Sequence, residues 1–119
     1  VIDVLIAFAR RYQRRLMVRL VKGAYWDSEI KWAQERGFKE YPVFTRKTST
    51  DLAYLVCAKK ILVAREELYP QFATHNAYTT AFVLEMLRDQ KIKEFEFQCL
   101  YGMGHSLYDQ LIQDRMFTI

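Results

Sequence analysis

Two cysteines, Cys57 and Cys99, are all the thiol chemistry in 119 residues. Two thiols make no disulfide framework, and so low a count fits a reducing compartment. Neither C-x-x-C nor H-x-x-x-H spacing occurs, so no metal site is expected from His75, His105, Cys57 and Cys99. No apolar run approaches the ~20 residues that span a bilayer. The opening VIDVLIAFARRYQRR runs from apolar to basic, the reverse of a secretory signal, and has no small-residue cleavage site. A soluble, cytoplasmic chain is the expectation. The P-loop spacing and G-x-G-x-x-G are both missing, so Gly102-Met103-Gly104 is not a phosphate loop. There is no internal repeat. The cations are dispersed as RR, KK and K-x-K, and a net charge of +4 without a clustered basic face does not describe a nucleic-acid binder.

What is present is apolar and aromatic. A hydrophobic content of 51% with 15% aromatics excludes disorder, and 119 residues can hold a modest core. Ile2, Leu5, Ile6, Ala9 and Tyr12 recur at helical spacing over residues 2–14, with arginines at the end that the helix dipole favours. Residues 16–21 (LMVRLV) read as a strand and 27–36 as a helix stopped by Gly37. Residues 38–47 are a loop punctuated by Pro42. A longer helix is expected over 50–65, capped by Ser49 or Thr50, with Leu52, Leu55, Val56, Lys59 and Leu62 on related faces. A short strand follows at 69–73, where Pro70 is tolerated only near the start. Asn76 then caps a helix over 77–88. Residues 95–100 alternate as a strand, with Phe95, Phe97 and Cys99 on one face and Glu96, Gln98 and Leu100 on the other. Cys99 is expected to be a core-facing thiol. A helix capped by Ser106 spans 106–113, and 116–119 resemble the start of another strand.

Strands separated by helices imply parallel crossovers and an α/β fold. Only three strands are visible. An isolated three-stranded parallel sheet leaves two open edges, so the chain is expected to be a segment of a larger unit. Each strand ends in a polar cluster: Lys22-Gly23, Thr74-His75-Asn76, and Gln98 to Gly102. Ligands of α/β sheets and barrels sit at the carboxyl ends of strands. Turn and cap chemistry accounts for Asn76 and the glycines, but leaves Arg19, Lys22, His75 and Gln98 unexplained. In Arg19 to Trp26, two cations at a strand end precede a glycine turn and two aromatics. This fits a flat, anionic ligand, and it also fits a strand edge whose cations snorkel into water. The triplet Thr45-Arg46-Lys47 fits phosphate contact or plain solvation.

Four motifs resemble the proline dehydrogenase family: R-L-V-K-G-A-Y-W-D (19–27), Y-P-x-F-T-R-K (41–47), Y-P-Q-F-A-T-H-N (69–76) and F-Q-C-L-x-G-M-G (97–104). The resemblance implies a (β/α)8 TIM barrel binding FAD non-covalently, of which this chain supplies about strands five to seven. It implies oxidation of L-proline to Δ1-pyrroline-5-carboxylate, with hydride transfer to FAD and electrons passed to a membrane quinone. The parent protein would be cytoplasmic or peripheral on the inner membrane, with room for an oligomer. By the resemblance, Arg19 is the catalytic residue beside the reactive edge of the flavin. Val21, Lys22, Gly23, Ala24 and Trp26 would line the isoalloxazine and its chain. Arg46 and Lys47 would lie near the phosphate-ribose arm. Thr74, His75 and Asn76 would contact the cofactor, Gln98 its pyrimidine side, and Tyr25 and Leu100 would shape the proline pocket.

The chain departs from the family pattern in places. The family's substrate-clamping arginine pair, lysine and aspartate lie outside these residues. Tyr101 stands where histidine is frequent, His105 where an acid is common, and 113–119 do not match the usual continuation. An alternative reading is therefore a truncated, non-catalytic fragment that binds FAD or oligomerises.

Overall fold

A computed structural model of the protein describes residues 1–113. The strand expected at 116–119 lies outside them. Three strands, Leu16–Leu20 (β1), Leu68–Ala73 (β2) and Glu96–Gln98 (β3), form one parallel sheet in the order β1-β2-β3. The helices are Ile2–Tyr12 (α1), Trp26–Glu35 (α2), Lys47–Val63 (α3), Ala77–Asp89 (α4) and His105–Gln113 (α5). Parallel neighbours need long crossovers. Here α2 and α3 fill the first and α4 fills the second, so the expected α/β order holds.

Alternation along each strand sorts its side chains between two faces. Leu16, Val18 and Leu20 pack against Ile61, Ala64 and Leu68 with Ile2, Leu5 and Ile6 of α1. Phe72 and Phe97 join Tyr54, Ala58, Leu62, Val83, Leu87 and Tyr108 in a second cluster. The helices thus cover one face. Met17, Arg19, Tyr69, Gln71, Ala73, Glu96 and Gln98 occupy the other, which is open. Pro70 stands opposite Val18 of β1, and the pairing of β2 with β3 begins only at Gln71.

Several local expectations need correction. Helix α3 starts at Lys47, three residues before the expected start at 50, and the Lys47–Asp51 pair of 2.6 Å spans its first turn. Its N-cap is Arg46, and no side chain caps it. Its buried residues are Tyr54, Ala58, Ile61 and Leu62, while Leu52 and Val56 are exposed. Apolar residues surround this helix, so spacing alone does not single out a face. Cys99 is exposed, since β3 ends at Gln98 and the alternation lapses there. Ser106 lies inside α5, whose first helical bond runs from the Tyr108 N–H to the Gly104 carbonyl. Tyr12 is exposed at the end of α1, where Gln13 turns left-handed.

Two ion pairs fasten α1 to its neighbours, Arg10–Glu67 at 2.6 Å to the turn before β2 and Lys60–Asp3 at 2.8 Å to α3. The hydrogen bond from Arg10 holds the Glu67 carboxyl below its usual value of 4.5. A depressed carboxylate contributes stability above its unfolded value and loses it as the pH falls through the folded one. Glu67→Gln is therefore expected to flatten the decline of the unfolding midpoint below about pH 4.5. Equal slopes with and without the carboxylate, measured by thermal denaturation across that window, would contradict this linkage.

Candidate functional site

The carboxyl ends of β1, β2 and β3 open onto one cleft of about 1410 Å³. It is lined by Arg19, Val21, Lys22, Gly23, Ala24, Tyr25 and Trp26 from the β1 end, by Lys47 from α3, by Thr74, His75 and Asn76, and by Gln98 and Leu100. All the expected site residues therefore meet there except Arg46, which stands exposed as the N-cap of α3, outside the lining.

At the β1 end, Arg19 is exposed on the open face. Lys22 follows the strand and is held on three sides. Its Nζ donates to Asp51 Oδ1 at 2.6 Å and to Thr79 Oγ1 at 2.9 Å, and lies 5.3 Å from the centre of the Tyr54 ring. The second oxygen of Asp51 accepts from Lys47 Nζ at 2.6 Å. These two bonds, that of Lys22 first, hold the Asp51 carboxyl below its usual value. Gly23 has φ of +80°, and no protein atom lies within 4 Å of where a Cβ would stand, so the cleft meets bare backbone there. Tyr25 adopts φ of +60° at the start of α2, an uncommon conformation for an aromatic residue, and its ring is exposed. The Trp26 indole N–H donates to the Phe44 carbonyl at 2.9 Å, which ties the 36–46 loop to α2.

At the β2 end, Asn76 caps α4 as expected by accepting from the Thr79 N–H at 2.9 Å. Thr74 is buried, and its carbonyl accepts from the Tyr108 hydroxyl. Burial pushes that hydroxyl's pKa up, so it stays a donor. His75 Nε2 accepts from the Leu100 N–H at 3.0 Å, which places the ring proton on Nδ1 and joins the β2 and β3 ends. Gly104 packs against this ring. A Cβ at position 104 would stand 3.0 Å from His75 Cδ2, at φ of +69°.

At the β3 end, Glu96 Oε1 accepts from Gln71 Nε2 at 2.8 Å and also from Gln98 Nε2. The Gln98 amide is thereby oriented along the open face. Residue reasoning did not single out Asp51, Tyr54, Thr79 or Glu96. Asp51 carried one legible signal, its i,i+4 spacing from Lys47, and Glu96 another, the face it shares with Gln98. Nothing local links Thr79 or Tyr54 to Lys22.

As a donor set, the cleft combines cations, amide groups, bare backbone and an indole. It suits a large, flat, partly anionic ligand, and aromatic faces accept such ring systems. Among the described residues, no helix is long and apolar enough to cross a membrane.

The sequence profile of the family described as Proline dehydrogenase matches residues 1–119. The Bifunctional protein PutA of Klebsiella aerogenes is 57% identical over 113 residues, which are 94% of this chain and 9% of that protein. A crystal structure of a mutant of Bradyrhizobium japonicum proline utilization A superposes with a TM-score of 0.91 at 58% identity, covering 98% of this chain and 12% of that one. Proline utilization A from Bdellovibrio bacteriovorus, inactivated by N-propargylglycine, gives 0.90 at 38% identity over 98% of this chain and 12% of that one. This chain thus spans about a tenth of such relatives. Its parallel β–α units are consecutive pieces of a (β/α)8 barrel. Matched over its whole length by the family profile, the chain belongs to the proline dehydrogenase family.

Proposed function

We propose that the protein carrying residues 1–119 oxidises L-proline to Δ1-pyrroline-5-carboxylate, and that this segment supplies one wall of an FAD site within a single barrel domain. The observation that carries this reading is the convergence of Arg19, Lys22, His75 and Gln98 from three strand ends on one cleft, in a chain of this family. The donor set suits FAD: cations for its phosphates and for charge on its ring, amides for its pyrimidine edge, and Trp26 for its flat surface. When bound, FAD supplies the two-electron acceptor for the hydride that proline loses. The protein's part is orientation and electrostatics.

Arg19 would place a positive charge where negative charge develops during the reaction, and a charge so placed lowers the barrier. Val21, Gly23, Ala24 and Trp26 would line the ring and its chain, and Thr74, His75 and Asn76 would contact the cofactor from the β2 end. Gln98, oriented by Glu96, would present its amide to the pyrimidine edge. Lys47 would hold the phosphate-ribose arm, with Arg46 next to it in the chain. Tyr25 and Leu100, both exposed here, shape the space beside the ring where proline docks. A membrane quinone would be the final electron acceptor, which calls for at least peripheral membrane contact by the whole protein.

The full-length protein, purified, is expected to show a flavin absorbance band and to reduce an acceptor dye when given L-proline. A colourless protein that takes up no FAD on reconstitution would overturn the reading.

A further inference from the structure

Lys22 is the most constrained cation of the cleft. Its side chain is only 15% exposed. An ammonium carries three donors. Asp51 and Thr79 take two of them, at 2.6 and 2.9 Å, from α3 and α4. The face of the Tyr54 ring closes another side of the group. Among the described residues, the third donor meets no protein acceptor, and Lys22 lines the cleft. Asp51 itself is shared: one oxygen holds Lys22 and the other holds Lys47, a second cation of the same lining.

We propose that Asp51, assisted by Thr79, is a positioning residue that fixes the Lys22 ammonium so that its remaining donor faces the cleft ligand. The anchor comes from outside the strand that carries the lysine. Asp51 sits in the first turns of α3 and Thr79 in the first turn of α4, so the crossover helices aim a group on β1. The carboxylate also offsets one of the two lysine charges, leaving this trio at a net +1. An anion approaching it meets a placed donor and one surplus charge, where two mobile side chains would otherwise stand. Loosening a lysine costs affinity because its rotamers must be ordered again on binding.

This inference rests on the reading of the cleft as an FAD site. The test uses the full-length protein, stripped of flavin and titrated with FAD by fluorescence quenching, with circular dichroism confirming the fold of each variant. Asp51→Asn is expected to raise the FAD Kd about tenfold, the size of a lost charge-assisted hydrogen bond, and Asp51→Glu to recover most of it. Thr79→Val, which changes no charge, is expected to raise Kd about threefold. Lys22→Met is expected to match Asp51→Asn, and the penalty of the Lys22→Met/Asp51→Asn double variant to fall well short of the sum of the two single penalties, the remainder being the loosened Lys47. A merely structural Asp51 would instead give a penalty that adds in full to that of Lys22→Met. That result, or an unchanged Kd in Asp51→Asn, overturns the inference while leaving the FAD reading intact. If the native protein takes up no FAD, both fall.

Discussion

Arg19→Met in the full-length protein is expected to slow flavin reduction by L-proline about a hundredfold, while raising the FAD Kd less than about tenfold. The asymmetry follows from where Arg19 sits. It is exposed on the open face of β1, one residue before Leu20 turns back into the core. It is not woven into the ion-pair trio that Lys22 forms with Asp51 and Lys47. On the proposed reading, removing it leaves the cleft walls standing and takes away a charge whose value is greatest in the transition state, and such interactions act on rate more than on binding. Methionine keeps much of the side-chain length and drops the charge. Stopped-flow reduction under anaerobic conditions gives the rate, and titration of apoprotein gives the affinity. Equal losses in both would remove Arg19 from the role assigned to it.

Phe72→Ala is expected to destabilise the domain by about 3–5 kcal/mol, lowering its unfolding midpoint by about 10 °C. Phe72 is fully buried in β2, the middle strand of the sheet. Its ring centre lies 5.9 Å from that of Phe97 on β3. The cluster around it includes residues of α3, α4 and α5, so the cavity left by truncation would be walled by elements that cannot all move inward. Val63→Ala, at an exposed position of α3, is the matched control and is expected to cost less than about 1 kcal/mol. If the proposed flavin is bound, its release on heating provides a domain-specific signal. Comparable shifts for the two variants would mean that this cluster is not the core of the domain. Since a domain's whole stability is about 5–15 kcal/mol, Phe72→Ala is also expected to reduce the yield of folded protein.

The element order was legible because it is written locally. Alternation marks β3, Asn76 marks the start of α4, and the strand–helix succession predicts parallel pairing, all from residues a few positions apart. The carboxyl ends of the strands follow from that order, so the placement of Arg19, His75 and Gln98 around one cleft could be anticipated. Elsewhere the local signal was silent or misleading. Apolar residues surround α3, and only its packing against α1, α4 and the sheet decides that Tyr54 and Ala58 are buried while Leu52 and Val56 are not. Continued alternation would bury Cys99, but β3 stops at Gln98 and the thiol is exposed.

The site shows the same division. From the sequence alone, Arg19 to Trp26 could be a ligand wall or a solvated strand edge, and both readings satisfied the cost of burying charge. Tertiary structure separated the two cations. Arg19 stays on the open face, whereas Lys22 is drawn against Asp51, 29 positions away, and Thr79, 57 positions away. No periodicity or motif encodes those distances, because they exist only once two crossover helices are laid against the same strand end. The sequence by itself determined which residue types reach the cleft. Only the fold decided which of them are free to meet a ligand and which are held by partners from distant parts of the chain.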